Sequence, residues 1–137
     1  MRDGLAGQAL TGVACVALAS LSLGCAEKIG RAELLERIDA GTAPPVLDVR
    51  SRGEYEEGHV PGAVHVPFYA MLGNTEQIPA AASEDEPVVV TCEHGPRAGI
   101  ARAQLWLAMD RPVLFLEGHM TAWKEDGLRV VAGPEPR

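Results

Sequence analysis

The chain has 137 residues, which suits one compact domain and is too short for a second domain of ordinary size. With 47% hydrophobic and 23% charged residues, its composition is that of a folded globular protein. The formal net charge of −7 argues against nucleic acid as a partner, because phosphate binding needs a clustered basic face and none is visible in the sequence.

The first 25 residues differ sharply in composition from the rest. Residues 4–24 carry no charge and consist mainly of Ala, Leu, Val, Gly and Ser. A run of this length is also compatible with a membrane span, but its Gly, Ser and Thr content is poor for one. Small residues near its end are typical of a signal-peptide cleavage site. We therefore predict that residues 1–25 are an export signal, with an uncleaved anchor or a helical N-terminal extension as the alternatives.

The end of this segment indicates attachment to a membrane. Residues 21–25 read Leu-Ser-Leu-Gly-Cys and resemble a bacterial lipobox, in which Cys25 would be lipidated and become the mature N-terminus. Ser22 departs from that pattern, which prefers Leu at this position. The prediction is an exported protein, either periplasmic or anchored to the membrane as a lipoprotein. Cys92 would then be the only free thiol of the mature chain, because Cys15 lies within the removed segment.

The chain before residue 87 contains three predicted helices, of which the first two have clear signals. Apolar residues recur at helical spacing in residues 31–40, which predicts a helix there. Ser51, with Glu54 three residues later, is typical of a capping box at the start of a helix over residues 51–57. The other predictions for this half are strands over residues 46–49 and 63–66, a short helix over 68–72 and a connecting loop over 73–86.

The second half begins with the clearest strand of the sequence. Residues 87–91 read Pro-Val-Val-Val-Thr, a continuous run typical of a strand covered on both faces. Helices alternate with such apolar strands, which predicts an α/β domain around a largely parallel sheet. The remaining predictions are a helix over 97–109, a strand over 113–116, a closing helix over 121–126 and a flexible tail over 132–137.

The loop that starts at Cys92 carries the candidate chemistry. It follows the carboxyl end of the clearest strand, the edge at which open α/β sheets bind their ligands. The unpaired N–H groups and the dipole at the start of the next helix favour negative charge there, which would stabilise a thiolate. Gly95 allows a tight turn. Arg97 offers two donors to an anionic donor molecule or to the thiolate.

A plainer interpretation is that Cys92 is a small buried residue at the end of a core strand. The Gly and Arg that follow at these spacings, directly before a helix, favour the chemical interpretation. His94 is more often a loop residue than a proton donor or a substrate contact, and both alternatives stay open. For Glu93 we expect a side chain that points to solvent and leaves its amide for the loop.

Three motifs, in the correct order and spacing, resemble those of rhodanese-like domains. Cys92-Glu93-His94-Gly95-Pro96-Arg97 fits the C-x-x-G-x-R active loop of that family. Residues 47–63, LDVRSRGEYEEGHVPGA, and residues 116–123, LEGHMTAW, fit the flanking motifs. The resemblance extends from about residue 28 to residue 131.

The resemblance implies a five-stranded, mostly parallel sheet flanked by helices, with Cys92 as the nucleophile. It implies that Glu93, His94, Gly95, Pro96 and Arg97 form the loop that surrounds the transferred sulfur and bind it through the backbone N–H groups, which only Pro96 lacks, without a metal or an organic cofactor. Residues expected to organise the fold beside the loop, without a catalytic role, are Asp48, Arg50, Glu54 and His59. Two positions depart from the family pattern: His119, where a second Gly is usual, and Ala98, where a Ser often follows the loop Arg.

The function that this resemblance implies is a sulfurtransferase. Cys92 would take sulfane sulfur from thiosulfate, a polysulfide or a persulfide and pass it, as a persulfide, to cyanide or a thiol. One alternative is a phosphatase or arsenate reductase of the same fold, which would need a loop one residue longer than the four residues between Cys92 and Arg97. Another is a non-catalytic persulfide carrier or interaction module. Oligomeric state cannot be predicted from the sequence.

Overall fold

The computed structural model describes residues 27–71, 75–78 and 85–134. The predicted export signal and the lipidation site at Cys25 lie outside these ranges, so both stay predictions. No helix within the described ranges has the length and apolar character needed to cross a membrane.

A five-stranded parallel sheet forms the centre of the domain, and its strand order is β1-β5-β4-β2-β3. The α/β fold with a parallel five-stranded sheet is therefore confirmed. The strands are β1 (Lys28–Ile29), β2 (Val46–Asp48), β3 (Val64–His65), β4 (Val88–Thr91) and β5 (Val113–Leu116).

Four helices flank the sheet, and their starts follow local chemistry. Ser51 caps the second helix and forms the predicted capping box with Glu54. The third helix starts at Pro96, whose fixed φ and missing N–H suit the first helical position. The helices are α1 (Arg31–Asp39), α2 (Arg52–Glu57), α3 (Pro96–Ala108) and α4 (His119–Glu125), and short 3₁₀ turns lie at Phe68–Ala70 and Thr75–Gln77.

Strand β4 lies at the centre because both of its faces are covered. Its four residues are all buried, and its three valines divide between two hydrophobic clusters. Val88 and Val90 pack with Ala98, Ala101 and Leu105 of α3. On the opposite face, Val89 belongs to the cluster that contains Leu34, Tyr55, Met120 and Trp123 of the other three helices. The continuous apolar run in the sequence thus corresponds to a strand between two helical layers.

Strand β1 is the element that the residue pattern did not predict. It has only two residues, of which Ile29 is buried and Lys28 is exposed. It pairs with β5 at the edge of the sheet, and the amide of Phe115 donates to the carbonyl of Glu27 at 2.9 Å. Two residues are too few for a recognisable alternation, so only the family resemblance indicated a fifth strand.

The chain after α4 returns to the second helix. His59 and Val131 form an isolated antiparallel bridge, with hydrogen bonds of 2.9 Å in both directions. Beyond it, the amide of Gly133 donates to the carbonyl of Glu56 at 2.8 Å. The described start of the predicted tail is therefore held against α2.

Candidate active site

Cys92 follows β4 directly, and its side chain is completely buried. The amide of Gly95 donates to the Sγ atom of Cys92 at 2.9 Å. This contact requires the chain to fold back within three residues, and Gly95 does so with φ of +123°, a conformation that L side chains rarely adopt. The sequence predicted a cradle of amides from residues 93 to 97. The Gly95 amide lies at hydrogen-bonding distance from the sulfur, and the wider cradle stays a prediction.

The outer side of the loop is attached to the start of α4. The amide of Met120 donates to the carbonyl of Cys92 at 3.0 Å, and the amide of Thr121 donates to the carbonyl of Glu93 at 3.1 Å. The Thr121 hydroxyl adds a bond of 2.8 Å to the same Glu93 carbonyl. These donors belong to the first turn of α4, whose N–H groups have no partner within the helix. Two consecutive peptide groups of the loop are thereby fixed in orientation.

Arg97 lies in the first turn of α3 and forms a bidentate ion pair with Glu54. Its Nη1 and Nη2 atoms each donate to a Glu54 carboxylate oxygen at 2.7 Å. This pair holds the pKa of Glu54 well below its usual range and raises that of Arg97. We expected the two donors to face an anionic substrate or the thiolate. The fork is instead bound to a carboxylate of α2, which fixes the helical end of the loop.

Glu93 points into the protein, so the expectation that its side chain faces solvent is wrong. Its side chain is 19% exposed, and its carboxylate accepts from Arg50 Nη1 at 3.0 Å and from Lys124 Nζ at 2.9 Å. Burial favours the neutral acid, but these two hydrogen bonds outweigh it, and the pKa of Glu93 lies below its ordinary value. The acidic residue beside the thiol is therefore a structural anchor of the loop.

Arg50 connects the loop to the sheet. Its side chain is fully buried, and it donates from Nη2 to Asp48 at 2.7 Å and to the carbonyl of Gly58 at 2.8 Å. Burial opposes its charge, yet Asp48 and Glu93 together raise the pKa of Arg50. His59 lies one step further away, where its Nδ1 atom pairs with the carbonyl of Tyr55. These contacts fit the organising role that the resemblance implies for Asp48, Arg50, Glu54 and His59.

His94 and Pro96 are the exposed residues of the loop. The Nδ1 atom of His94 lies 2.9 Å from the hydroxyl oxygen of Thr121. Because the single hydroxyl hydrogen of Thr121 goes to the Glu93 carbonyl, His94 is the donor in this pair. A role for His94 in substrate binding stays a prediction.

His119 is the residue whose place in the site the sequence did not assign. Its Nδ1 atom accepts the amide of Cys92 at 3.4 Å. Burial lowers its pKa, and the charges of Lys28 and His94 lower it further. The departure from the usual Gly was the only sequence signal that this position is unusual.

The chain belongs to the rhodanese-like domain family. The family model for the rhodanese-like domain matches residues 31–126, which include the loop, the ion pair of Glu54 and Arg97 and all of α4. Among the described residues, no group of three or more His, Cys, Asp or Glu side chains is placed to hold a metal ion.

Proteins of known name support this membership. The chain is 32% identical over 87 residues to a sulfurtransferase of Allochromatium vinosum, covering 64% of this chain and 78% of that protein. It is 33% identical over 66 residues to the putative sulfur carrier protein YrkF of Bacillus subtilis, covering 48% of this chain and 34% of that protein. The chain spans between about a third and about half of the length of several curated relatives that it matches.

A solved structure has the same fold. The rhodanese-related protein of Thermoplasma volcanium superposes with a TM-score of 0.63 at 28% sequence identity. The match covers 77% of this chain and 97% of that protein. The domain is therefore similar in extent to a complete rhodanese-related chain.

Proposed function

We propose that this domain is a sulfurtransferase that carries sulfane sulfur as a persulfide on Cys92. The observation that carries the proposal is the hydrogen bond from the Gly95 amide to Cys92 Sγ at 2.9 Å. A backbone donor aimed at the sulfur, at the start of the 13-residue helix α3, can stabilise negative charge that develops on the sulfur during transfer. The family membership and the relative named as a sulfurtransferase support the same reaction class.

The proposed reaction has two steps through a covalent intermediate. The Cys92 thiolate attacks the outer sulfur of thiosulfate, a new S–S bond forms, and the donor S–S bond breaks with its electron pair leaving on sulfite. A polysulfide or persulfide donor would lose a shortened chain or a thiolate instead. A cyanide ion or an acceptor thiolate then attacks the outer sulfur and restores the Cys92 thiolate. Neither step needs an external oxidant or reductant.

The charged side chains around the loop are paired with one another, so the negative charge of a persulfide would be stabilised by backbone amides. Arg97 is bound to Glu54, and Arg50 and Lys124 are bound to Glu93. These ion pairs therefore hold the loop in place, while backbone N–H groups stabilise the negative sulfur. Such preorganised donors stabilise developing charge without having to reorient during the reaction.

Cys92→Ser tests the proposal. The wild-type protein should gain the mass of one sulfur atom after exposure to thiosulfate or a polysulfide, and should lose it when cyanide is added. Cys92→Ser should show neither the added mass nor transfer, as measured by intact-protein mass spectrometry and by thiocyanate formation. The double variant Cys15→Ser and Cys25→Ser, with both other cysteines replaced, serves as the control and should transfer sulfur normally.

Undiminished transfer by Cys92→Ser would refute the proposed function. Hydrolysis of a phosphoester by the wild-type protein, lost in the same variant, would favour the phosphatase alternative instead. The four-residue spacing between Cys92 and Arg97 is the feature that favours sulfur over a tetrahedral phosphate.

A persulfide carrier is the second candidate function. One observation favours it: the relative named as a putative sulfur carrier. A carrier would load once from a donor and release sulfur only to a partner. Multiple turnovers with cyanide and with small thiols would identify an enzyme, whereas a single stoichiometric loading would identify a carrier.

We further propose that the protein is exported and lipidated at Cys25. Support comes from the uncharged residues 4–24 and from the lipobox-like residues 21–25. The mature protein should then start at Cys25, carry a lipid mass and fractionate with membranes. Cys25→Ser should abolish the lipid mass, and an unprocessed N-terminus in the wild-type protein would refute the proposal.

A further inference from the structure

His119 adopts a backbone conformation that non-glycine residues rarely adopt. Its φ is +53°, and within the described part of the chain no other non-glycine residue has a positive φ. The left-handed conformation is unfavourable for an L residue, because its Cβ atom comes too close to the following carbonyl oxygen. Such strain persists only where the surroundings enforce it, and it concentrates at functional sites. The position of the His119 ring shows what this conformation achieves.

The ring lies between the loop and β5. Its Nδ1 atom accepts the amide of Cys92 at 3.4 Å, and its Nε2 atom lies 3.3 Å from the position that a Cβ atom on Gly95 would occupy. On its other side, the ring centroid is 5.8 Å from that of Phe115, over which the Arg102 guanidinium is placed. The imidazole thus contacts Cys92 and fills the space that a side chain at Gly95 would need.

Both backbone polar groups of Cys92 are held by consecutive residues at the start of α4. His119 accepts the N–H through its side chain, and Met120 donates its own N–H to the carbonyl. An imidazole accepts through Nδ1 only when that atom carries no proton, so this bond assigns the proton of the neutral ring to Nε2. A protonated ring would have no acceptor for the Cys92 amide.

We propose that His119 is a positioning residue for sulfur transfer: its neutral imidazole holds the Cys92 amide and thereby aligns the thiol sulfur with the Gly95 amide. The inference rests on the proposed function, since it names a residue that prepares the nucleophile for that reaction. His119 acts through Cys92 and needs no contact with the donor molecule.

Two substitutions distinguish the role of His119 as a hydrogen-bond acceptor from the effect of its strained backbone. His119→Gly suits a positive φ but removes the acceptor, whereas His119→Asn suits a positive φ and keeps an acceptor oxygen on a short side chain. Both variants should fold, which circular dichroism and thermal unfolding would check. A purely structural role for the strained backbone would make them behave alike.

The first readout is the reactivity of Cys92 itself. Single-turnover loading from thiosulfate and alkylation by iodoacetamide should each slow about tenfold in His119→Gly, the loss expected for one hydrogen bond. In His119→Asn both rates should stay within about twofold of the wild type. The KM for thiosulfate should change little in either variant, because His119 is not assigned a contact with the donor.

The second readout is the pH dependence of alkylation. The groups that face the imidazole are Lys28 on β1, His94 and Cys92 in the loop, and Arg102 behind Phe115. The wild-type alkylation rate should show an additional loss as the pH drops through the lowered pKa of His119, and His119→Asn should lack this additional loss. Lys28→Gln removes a neighbouring positive charge, so it should move the additional loss to higher pH.

Wild-type reactivity in His119→Gly, or equal slowing in the Gly and Asn variants, would overturn the inference. The alkylation assay requires no sulfur donor, which keeps the two proposals apart. If Cys92 accepts sulfur from no donor, the proposed function fails, while the alkylation rates of the two variants still decide the role of His119.

Discussion

The glycine before His119 shows how single atoms control the site. A Cβ atom on Gly118 would lie 2.4 Å from the Cβ of Ala122 and 3.1 Å from Nη1 of Arg31, and φ at this residue is +67°. A contact as short as the one with Ala122 does not occur between real atoms, so a side chain here would displace the first turn of α4. That turn holds the loop carbonyls of Cys92 and Glu93.

Gly118→Ala should therefore destabilise the protein by about 2 kcal/mol or more, through steric overlap and backbone strain together. Urea unfolding measures this value. Gly53→Ala is the matched control: Gly53 lies in α2, where an added Cβ atom would meet open space, and the substitution should gain about 0.5 kcal/mol from higher helix propensity.

The double variant Gly118→Ala with Ala122→Gly separates the destabilisation caused by steric overlap from that caused by backbone strain. It removes the closest overlap but keeps the strained φ, so it should recover part of the lost stability. Full recovery would show that backbone strain contributes nothing at this position, and no loss in the single variant would contradict the packing described above.

At the scale of the elements, the pair of Glu54 and Arg97 joins α2 to α3. Glu54 also completes the capping box with Ser51, so one carboxylate serves two helix starts. The pKa of Glu54 is lowered chiefly by Arg97. A depressed carboxyl pKa means that the folded protein gains stability from the ionised form above the pKa of the unfolded chain, about 4.3.

Glu54→Gln should accordingly be less stable than the wild type at neutral pH. The difference should stay constant down to about pH 4.3 and shrink as the pH falls through the lowered pKa of the folded protein, because the wild-type carboxylate is then neutralised too. Urea unfolding of both proteins at several pH values measures this. Glu57→Gln, exposed on the same helix, controls for the removal of a negative charge. A difference that grows in acid would have the wrong sign.

At the scale of the whole molecule, one chain of charges crosses the domain beneath the loop. It begins at buried Asp48 on β2, passes through Arg50 to Glu93 in the loop, and ends at Lys124 on α4. Arg50 also binds the carbonyl of Gly58 after α2. Four separate segments therefore depend on a single buried guanidinium.

Arg50→Met should destabilise the protein by about 3 kcal/mol or more, because it leaves the buried Asp48 carboxylate without its partner. It should also slow persulfide formation, since Glu93 loses one of its two anchors. Arg52→Met removes an exposed arginine two residues away and should change the free energy of unfolding by less than about 0.5 kcal/mol. Equal losses in the two variants, measured by chemical unfolding, would contradict the central role of Arg50.

Features that neighbouring residues determine could be predicted from the sequence, whereas contacts between residues distant in the chain could not. The capping box of Ser51 and Glu54 and the buried strand β4 were predictable because neighbouring residues determine them. The partners of Glu93 were not, since Arg50 and Lys124 are 43 and 31 residues away in the chain. Arg97 and Glu54 are likewise 43 residues apart, and only the folded sheet brings them together.

The start of α4 is a second feature that the residue pattern did not predict correctly. The residue pattern placed this helix at residue 121, whereas it begins at His119, in a conformation that the residue type disfavours. Local propensity was overridden there by the contacts of the ring with the loop. The family resemblance supplied the fifth strand, and the long-range contacts required coordinates.

The loop between β4 and α3 is secured at both ends, to α4 through its first carbonyls and to α2 through Arg97. Its length is consequently not free to vary. An inserted residue could be accommodated only as an outward bulge around exposed His94, since growth at either end would break an attachment. Attempts to convert this scaffold to larger substrates would therefore have to use such a bulge or release one of the two attachments.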